Sequence, residues 1–335
     1  MTTHTTDGPH QFPGLPRYPA ATPPAEPLPY HRLALATGDH RWWRPLLGTG
    51  VVLVGAVLVT VAVLVGSEIA GAVLDRPRDA DGNLLWGGIG DTALALLSLA
   101  LTIPVVALAA RWVQGRPLGT VSSVAGALRW RRLGMCLAVA LPVAAATLGI
   151  SMLLPEPAGS SPEPTWAGLS PFLLGLAAVC MLVPFQAAAE EYVFRGWLAQ
   201  AVGAWCRSPW IAVTPQAVLF AAAHGWGTPW GFADLVVFGL ITGLLTIRTG
   251  GLEAAIALHV LNNLLPMGML SAIAGGLETD ETAADMNWMM LAVDVPLVSL
   301  YAAAVLWLSH RRDLRASTAP PRSAQAVSDG SGSRS

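Results

Sequence analysis

Residues 187–196 read AAAEEYVFRG. Two adjacent carboxylates, Glu190 and Glu191, close a long apolar run, and Arg195 follows four residues after the second. Ionised carboxylates in or beside a hydrophobic segment are costly to desolvate, so each needs a partner or a task. Glu191 and Arg195 are spaced i,i+4 and face one side of a helix, where an ion pair would neutralise one carboxylate and orient the segment. Glu190 is turned about 100° away and is free to point into a bundle. A carboxylate without a fixed counter-charge can take up and release a proton, as a general base or acid must. The plainer reading makes both glutamates ordinary charges at the headgroup level.

Two further polar pairs fall inside apolar segments. In Phe220-Ala-Ala-Ala-His224 the ends share one helix face, and the alanines let a neighbouring helix approach closely. In His259-Val-Leu-Asn-Asn263 the ends again share a face, while Asn262 is turned away. Each pair alone could simply hydrogen-bond a neighbouring helix. Together they place one free carboxylate, two histidines and one amide on three segments that short connections keep adjacent. The carboxylate can activate water, and a histidine can hold that water or bind a metal. A histidine–asparagine pair can donate hydrogen bonds to a developing oxyanion. These are the parts of a hydrolase that attacks an amide with water and forms no covalent intermediate. The chain contains no Gly-x-Ser-x-Gly and no His-Glu-x-x-His, so a covalent serine mechanism and the zincin arrangement lack sequence support.

The elements that must carry these residues are set by composition. Of 335 residues, 53% are hydrophobic and 12% are charged, against about 25% charged in a soluble domain. The expected fold is all-α: a polytopic membrane helix bundle of about eight transmembrane helices with disordered cytoplasmic tails. The expected spans are 46–67, 90–110, 134–154, 169–189, 209–224, 231–248, 251–274 and 288–309. For Glu190 to meet His224, either the fourth runs on through Trp197-Leu-Ala-Gln-Ala-Val-Gly203, which puts Glu190 at mid-depth, or the fifth is tilted or starts later; the apolar run after Arg195 favours the first. Thr249-Gly250-Gly251 suits a helix end followed by an immediate turn. The three cysteines, Cys136, Cys180 and Cys206, have no metal-ligand spacing and are expected as reduced thiols.

The divisions are a disordered tail at 1–43, three membrane helices in 44–168, and a catalytic core at 169–275. An acidic loop with the last membrane helix follows at 276–310, and a disordered tail at 311–335. All the fixed positive charges are arginines. Arg41 and Arg44 precede the first span; Arg111, Arg116, Arg129, Arg131 and Arg132 fill the second connection. Arg195 and Arg207 follow the fourth span, Arg248 ends the sixth, and Arg311 and Arg312 follow the eighth. Glu156 and Glu163, then Glu278, Asp280, Glu281 and Asp285, lie in the opposite connections. Only Arg76 and Arg78 depart from this pattern, among acidic neighbours. The positive-inside rule then puts both termini in the cytoplasm.

Glu190-Glu191-x-x-x-Arg195, Phe220-x-x-x-His224 and His259-x-x-x-Asn263, in this order over 169–275, resemble the CPBP family of intramembrane proteases. That family includes the Rce1-type CAAX prenyl endopeptidases and the bacterial Abi proteins. Ile247-Arg-Thr-Gly-Gly-Leu252 is also similar to the family. The resemblance implies an intramembrane endopeptidase in which Glu190 activates water, His224 positions it, and His259 and Asn263 stabilise the oxyanion. Glu191 and Arg195 would support the helix. Glu190, His224 and His259 would supply three ligands to a zinc ion, and a metal-free glutamate mechanism is equally compatible. The implied partners are membrane lipid and a membrane-associated peptide or protein, with no nucleic acid. The implied location is the plasma membrane. The competing reading is a non-catalytic membrane scaffold or a proton-coupled transporter, although no internal repeat of spans is evident.

The arginine asymmetry generates a test of topology. A reporter that is active only outside the cytoplasm should stay silent when fused at the C-terminus and become active when inserted in the 275–286 connection. The reverse pattern would overturn the orientation.

Overall fold

The computed structural model describes residues 27–36, 40–155, 164–278 and 282–311. Helices occur at all eight expected positions. They are α1 (Arg44–Val73), α2 and α3 (Gly88–Ala100 and Thr102–Trp112), the short α4 (Gly119–Ser122), α5 (Trp130–Ser151) and α6 (Leu169–Glu191). There follow α7 (Ala199–Gly203), α8 (Pro209–Ala223), α9 (Pro229–Thr249), α10 (Glu253–Leu270) and α11 (Trp288–Arg311). Among the described residues, six segments are long and apolar enough to cross a membrane: α1, α2 with α3, α5, Leu169–Gly203, α9 and α11. The chain is therefore a polytopic helical membrane protein.

The eight expected spans thus become six by length and composition, with two helices that fall short. Helix α8 has only 15 residues. Helix α10 carries Glu253, His259, Asn262 and Asn263, which dilute its apolar character. It does not need that character, because protein surrounds its first half. Every residue from Glu253 to Leu261 is buried, and α10 packs against α5, α6 and α9. A helix that meets side chains instead of lipid can carry polar groups, provided neighbours satisfy them.

The sixth helix does not stop at Glu191. A seven-residue π-helical stretch, Tyr192–Leu198, follows it and leads directly into α7. The resulting rod, Leu169–Gly203, has 35 residues. At 1.5 Å per residue it is about 52 Å long, longer than the roughly 30 Å hydrocarbon core. Glu190 consequently lies well inside the rod, as its meeting with His224 requires.

The N-terminal expectation needs correction. Within 1–43, Tyr30–Leu35 forms a 3-10 turn whose Tyr30, Leu33 and Ala34 are buried. The Tyr30 hydroxyl donates to the Val121 carbonyl, and the His31 backbone lies so close to Gly203 that a β-carbon there would stand 1.9 Å from its oxygen. A tyrosine and a leucine one turn apart give this segment an apolar face that the Pro-rich composition hides. Residues 1–26 and 37–39, and the expected C-terminal tail from 312, lie outside the described residues.

The α9–α10 turn fixes the register of α10. Gly250 ends α9 at a φ of 71°, a left-handed conformation that favours glycine. The segment after α4 is bonded to this turn: Val124 N–H donates to Gly250 O at 2.9 Å, and Leu252 N–H to Ser122 O at 3.0 Å. Glu253, the first residue of α10, accepts from Arg129 backbone N–H (2.9 Å), Nε (2.8 Å) and Nη2 (2.6 Å).

This ion pair predicts an asymmetry. Glu253 is fully buried, whereas the Arg129 side chain keeps 21% of its surface exposed. Arg129→Ala strands a buried carboxylate, at a cost of about 3–5 kcal/mol. Glu253→Ala leaves a cation that can still turn to water, and should cost less. Thermal unfolding in detergent should rank wild type above Glu253→Ala above Arg129→Ala; the opposite ranking would refute this account of the turn.

Candidate active site

The site is built on the end of α6. Glu191 and Arg195 are both fully buried, with Arg195 Nη1 3.1 Å from Glu191 Oε1. Arg195 Nε donates to Thr242 Oγ1 on α9 at 3.1 Å, and Thr242 in turn donates to Phe238 O at 2.6 Å. The two terminal guanidinium nitrogens make no hydrogen bond. Aromatic faces take their place: the guanidinium carbon is 3.9 Å from the Phe220 ring centroid and 5.4 Å from that of Phe238. Cation–π attraction of this kind strengthens where water is excluded. The π-helical turn carrying Arg195 is the sort of local widening often found at functional sites.

Glu191 has a second partner. His259 Nδ1 lies 2.7 Å from the same Oε1. An ionised carboxylate can only accept, so Nδ1 carries the hydrogen and Nε2 faces away from Glu191. It faces Glu190, whose Oε2 is 3.7 Å distant. His224, just past the end of α8, is set the same way. Its Nδ1 is 2.9 Å from Phe220 O, which can only accept, and its Nε2 is 3.8 Å from Glu190 Oε2. Phe220 packs against both imidazoles, with centroid distances of 4.6 Å to His224 and 5.8 Å to His259. Two imidazole nitrogens therefore flank one carboxylate oxygen, at separations too long for direct hydrogen bonds and right for bridging by a small molecule.

The other oxygen of Glu190 is held. Gln186 Nε2 donates to Glu190 Oε1 at 2.6 Å, and Asn263 Nδ2 donates to Gln186 Oε1 at 3.1 Å. The fold thus gathers Glu190, Glu191, Arg195, His224, His259 and Asn263, with Asn263 reaching the group through Gln186. Among the described residues, no set of three His, Cys, Asp or Glu side chains is arranged to hold a metal ion. The three residues named for zinc, Glu190, His224 and His259, do come together, with Nε2 of both histidines facing Glu190 Oε2.

Sequence reasoning overlooked Gln186, Phe238 and Thr242. Gln186 was within reach of the spacing rule used for the other pairs, since it precedes Glu190 by four residues inside an apolar run. Phe238 and Thr242 carry no signal of their own in a helix of similar residues. Two acids inside spans were also passed over: Asp234 on α9 and Asp294 on α11 are both buried.

A polytopic helical membrane protein with a buried cluster of carboxylates and histidines is the class that fold and site define. Residues 169–265 match the family described as type II CAAX prenyl endopeptidase Rce1-like. Over 287 residues, 81% of this chain and 93% of the relative, the sequence is 28% identical to the uncharacterized protein YyaK of Bacillus subtilis (strain 168). Over 90 residues, 26% of this chain and 40% of the relative, it is 32% identical to an uncharacterized 24.3 kDa protein of Escherichia coli. No solved structure matches. Within the segment 169–265 the chain is similar to the CAAX-protease-like family, and every motif residue of the site lies within it.

The Phe220 ring generates a prediction. Phe220→Leu keeps an apolar side chain but removes the π-face beneath Arg195, and should cost about 2 kcal/mol of stability. In an Arg195→Met background the same change should cost measurably less, because no cation remains. Equal losses in the two backgrounds, read by thermal unfolding in detergent, would show that Phe220 contributes packing alone.

Proposed function

We propose that the protein is an intramembrane endopeptidase that cleaves membrane-associated peptides or proteins by glutamate-activated attack of water. The observation that carries this reading is Glu190 Oε2: buried, without a hydrogen-bond partner, and facing two imidazole Nε2 atoms at 3.7 and 3.8 Å. A water seated there gives one hydrogen to Oε2 and one to His224 Nε2, which leaves a lone pair of its oxygen for the substrate carbonyl. Attack forms the C–O bond and transfers a proton to Glu190. Delivery of that proton to the amide nitrogen breaks the C–N bond, giving a carboxylic acid and a free amine. The oxyanion of the tetrahedral intermediate is met by the second N–H of Asn263 and by His259, which takes a proton from solvent at Nε2 before attack, donates it in a hydrogen bond to the oxyanion with Glu191 behind it, and returns it when the product leaves.

The substrate class follows from the setting. The catalytic group sits in a bundle with six apolar spans, where a lipid-anchored or membrane-embedded polypeptide is concentrated. A CAAX-like sequence is one member of that class, by analogy with the family. Both termini are assigned to the cytoplasm on the arginine distribution, and the protein to the plasma membrane on the family resemblance.

Detergent-purified protein should cleave members of a panel of membrane-anchored peptides. Glu190→Gln should remain folded and lose about 100- to 10,000-fold in turnover, the range expected for a positioned general base. Wild-type turnover by Glu190→Gln would sink the assignment. Activity should survive chelation; loss on chelation with rescue by zinc would instead give Glu190, His224 and His259 a shared ion. Proton transport without cleavage would favour a transporter.

A further inference from the structure

Gln186 is a buried polar group bonded to Glu190 that the mechanism above does not use. It is 4% exposed, one helical turn before Glu190 on α6. Its amide orientation is fixed from both ends. Glu190 can only accept as a carboxylate, so the NH2 must face it; the Asn263 NH2 can only donate, so the carbonyl must face Asn263. The bonds at 2.6 Å and 3.1 Å agree with this single orientation. The result is a directional chain from Asn263 on α10, through Gln186, to Oε1 of Glu190.

We infer that Gln186 is a positioning residue: it ties Oε1 of Glu190 so that Oε2 alone is presented between His224 and His259, and Asn263 acts in part through it. This inference rests on the reading of Glu190 as the base. A glutamate side chain with one carboxylate oxygen tied loses rotation about its last bond, and the free oxygen is held in one direction. The neutral amide does this without adding a charge near the base, whereas a cation in its place would hold Glu190 in an ion pair, as Arg195 holds Glu191. A glutamine that only joined α6 to α10 would affect the amount of folded protein and leave turnover per folded molecule unchanged.

The experiment measures kcat and KM per folded molecule, with thermal stability, for Gln186→Met, Gln186→Glu, Asn263→Ala and the Gln186→Met/Asn263→Ala double variant. Glu190→Gln is run beside them. Gln186→Met matches the side chain in length and lacks the donor. Its kcat should fall about 10- to 100-fold, the loss expected for one hydrogen bond to a charged group, with KM nearly unchanged. Gln186→Glu keeps the shape and the bond from Asn263, so it tests the same point if the methionine variant folds poorly; its kcat should also fall. The double variant should lose less than the product of the two single losses, because part of the Asn263 effect already runs through Gln186. Wild-type kcat in both folded Gln186 variants, or losses that multiply in the double variant, would overturn the inference. A Glu190→Gln variant that turns over normally would overturn the base assignment itself, and this inference with it.

Discussion

Everything at this site depends on how a bundle of apolar helices accommodates the fully buried carboxylate of Glu191. Its Oε1 receives Arg195 at 3.1 Å and His259 Nδ1 at 2.7 Å. These three groups come from the α6 rod and α10, and Thr242 of α9 binds the arginine. Removing any charged member would leave an uncompensated charge where water does not reach, a larger cost than the net value of the pair. The cluster therefore fixes the relative position of three helices. It also sets the tautomer of His259, and so decides which nitrogen faces Glu190. The arginine's missing hydrogen bonds would be a defect in an aliphatic setting. Phe220 and Phe238 offset them with their π-faces, which explains why a phenylalanine stands four residues before His224.

Bringing the cluster to depth requires two departures from ordinary membrane helices. The α6 rod is longer than a span and widens into a π-helical stretch directly after Glu191. Widening there changes the angular step after the two glutamates, and so sets where Arg195 points. Helix α10 is too polar to face lipid and is enclosed by α5, α6 and α9. The Arg129–Glu253 pair and the bonds from the α4 segment hold its first turn. The register of α10 is thus fixed at its start, and His259 and Asn263 inherit their positions from that end.

Much of this was legible in the sequence because intramembrane polarity is rare enough to be informative. The i,i+4 spacing correctly paired Glu191 with Arg195, left Glu190 on another face, and aligned Phe220 with His224. The helix positions followed from apolar runs broken by Gly and Pro, and the Thr249-Gly250-Gly251 turn is as expected. Other features could not be read that way. Whether a helix meets lipid or protein is a tertiary property, so the enclosure of the first half of α10 could not be read from its sequence. The docked Tyr30–Leu35 turn has too few apolar residues to register as an element, and its burial depends on Val121 and Gly203, distant in sequence. That His259 would contact both glutamates was also hidden, since spacing along one helix says nothing about the facing one.

The two adjacent glutamates cannot exchange roles, and the reason is geometric. Successive residues on a helix diverge by about 100°, so the pair presents carboxylates in two directions at one depth. One direction meets Arg195 and His259, which engage a single oxygen of Glu191. The other meets a neutral amide at Oε1 and two imidazole nitrogens beyond hydrogen-bonding reach of Oε2. A carboxylate clasped by two cationic or donor groups is a poor proton acceptor, because accepting a proton would forfeit both interactions. A carboxylate held by one neutral donor keeps its second oxygen's lone pairs available. Conversely, Glu190 alone could not keep this form: without Glu191 to neutralise Arg195, the guanidinium would draw the remaining carboxylate into an ion pair. The adjacent pair thus lets one helix end supply both a paired carboxylate and one with an unpaired oxygen, with the imidazole of His259 touching the first through Nδ1 and facing the second through Nε2.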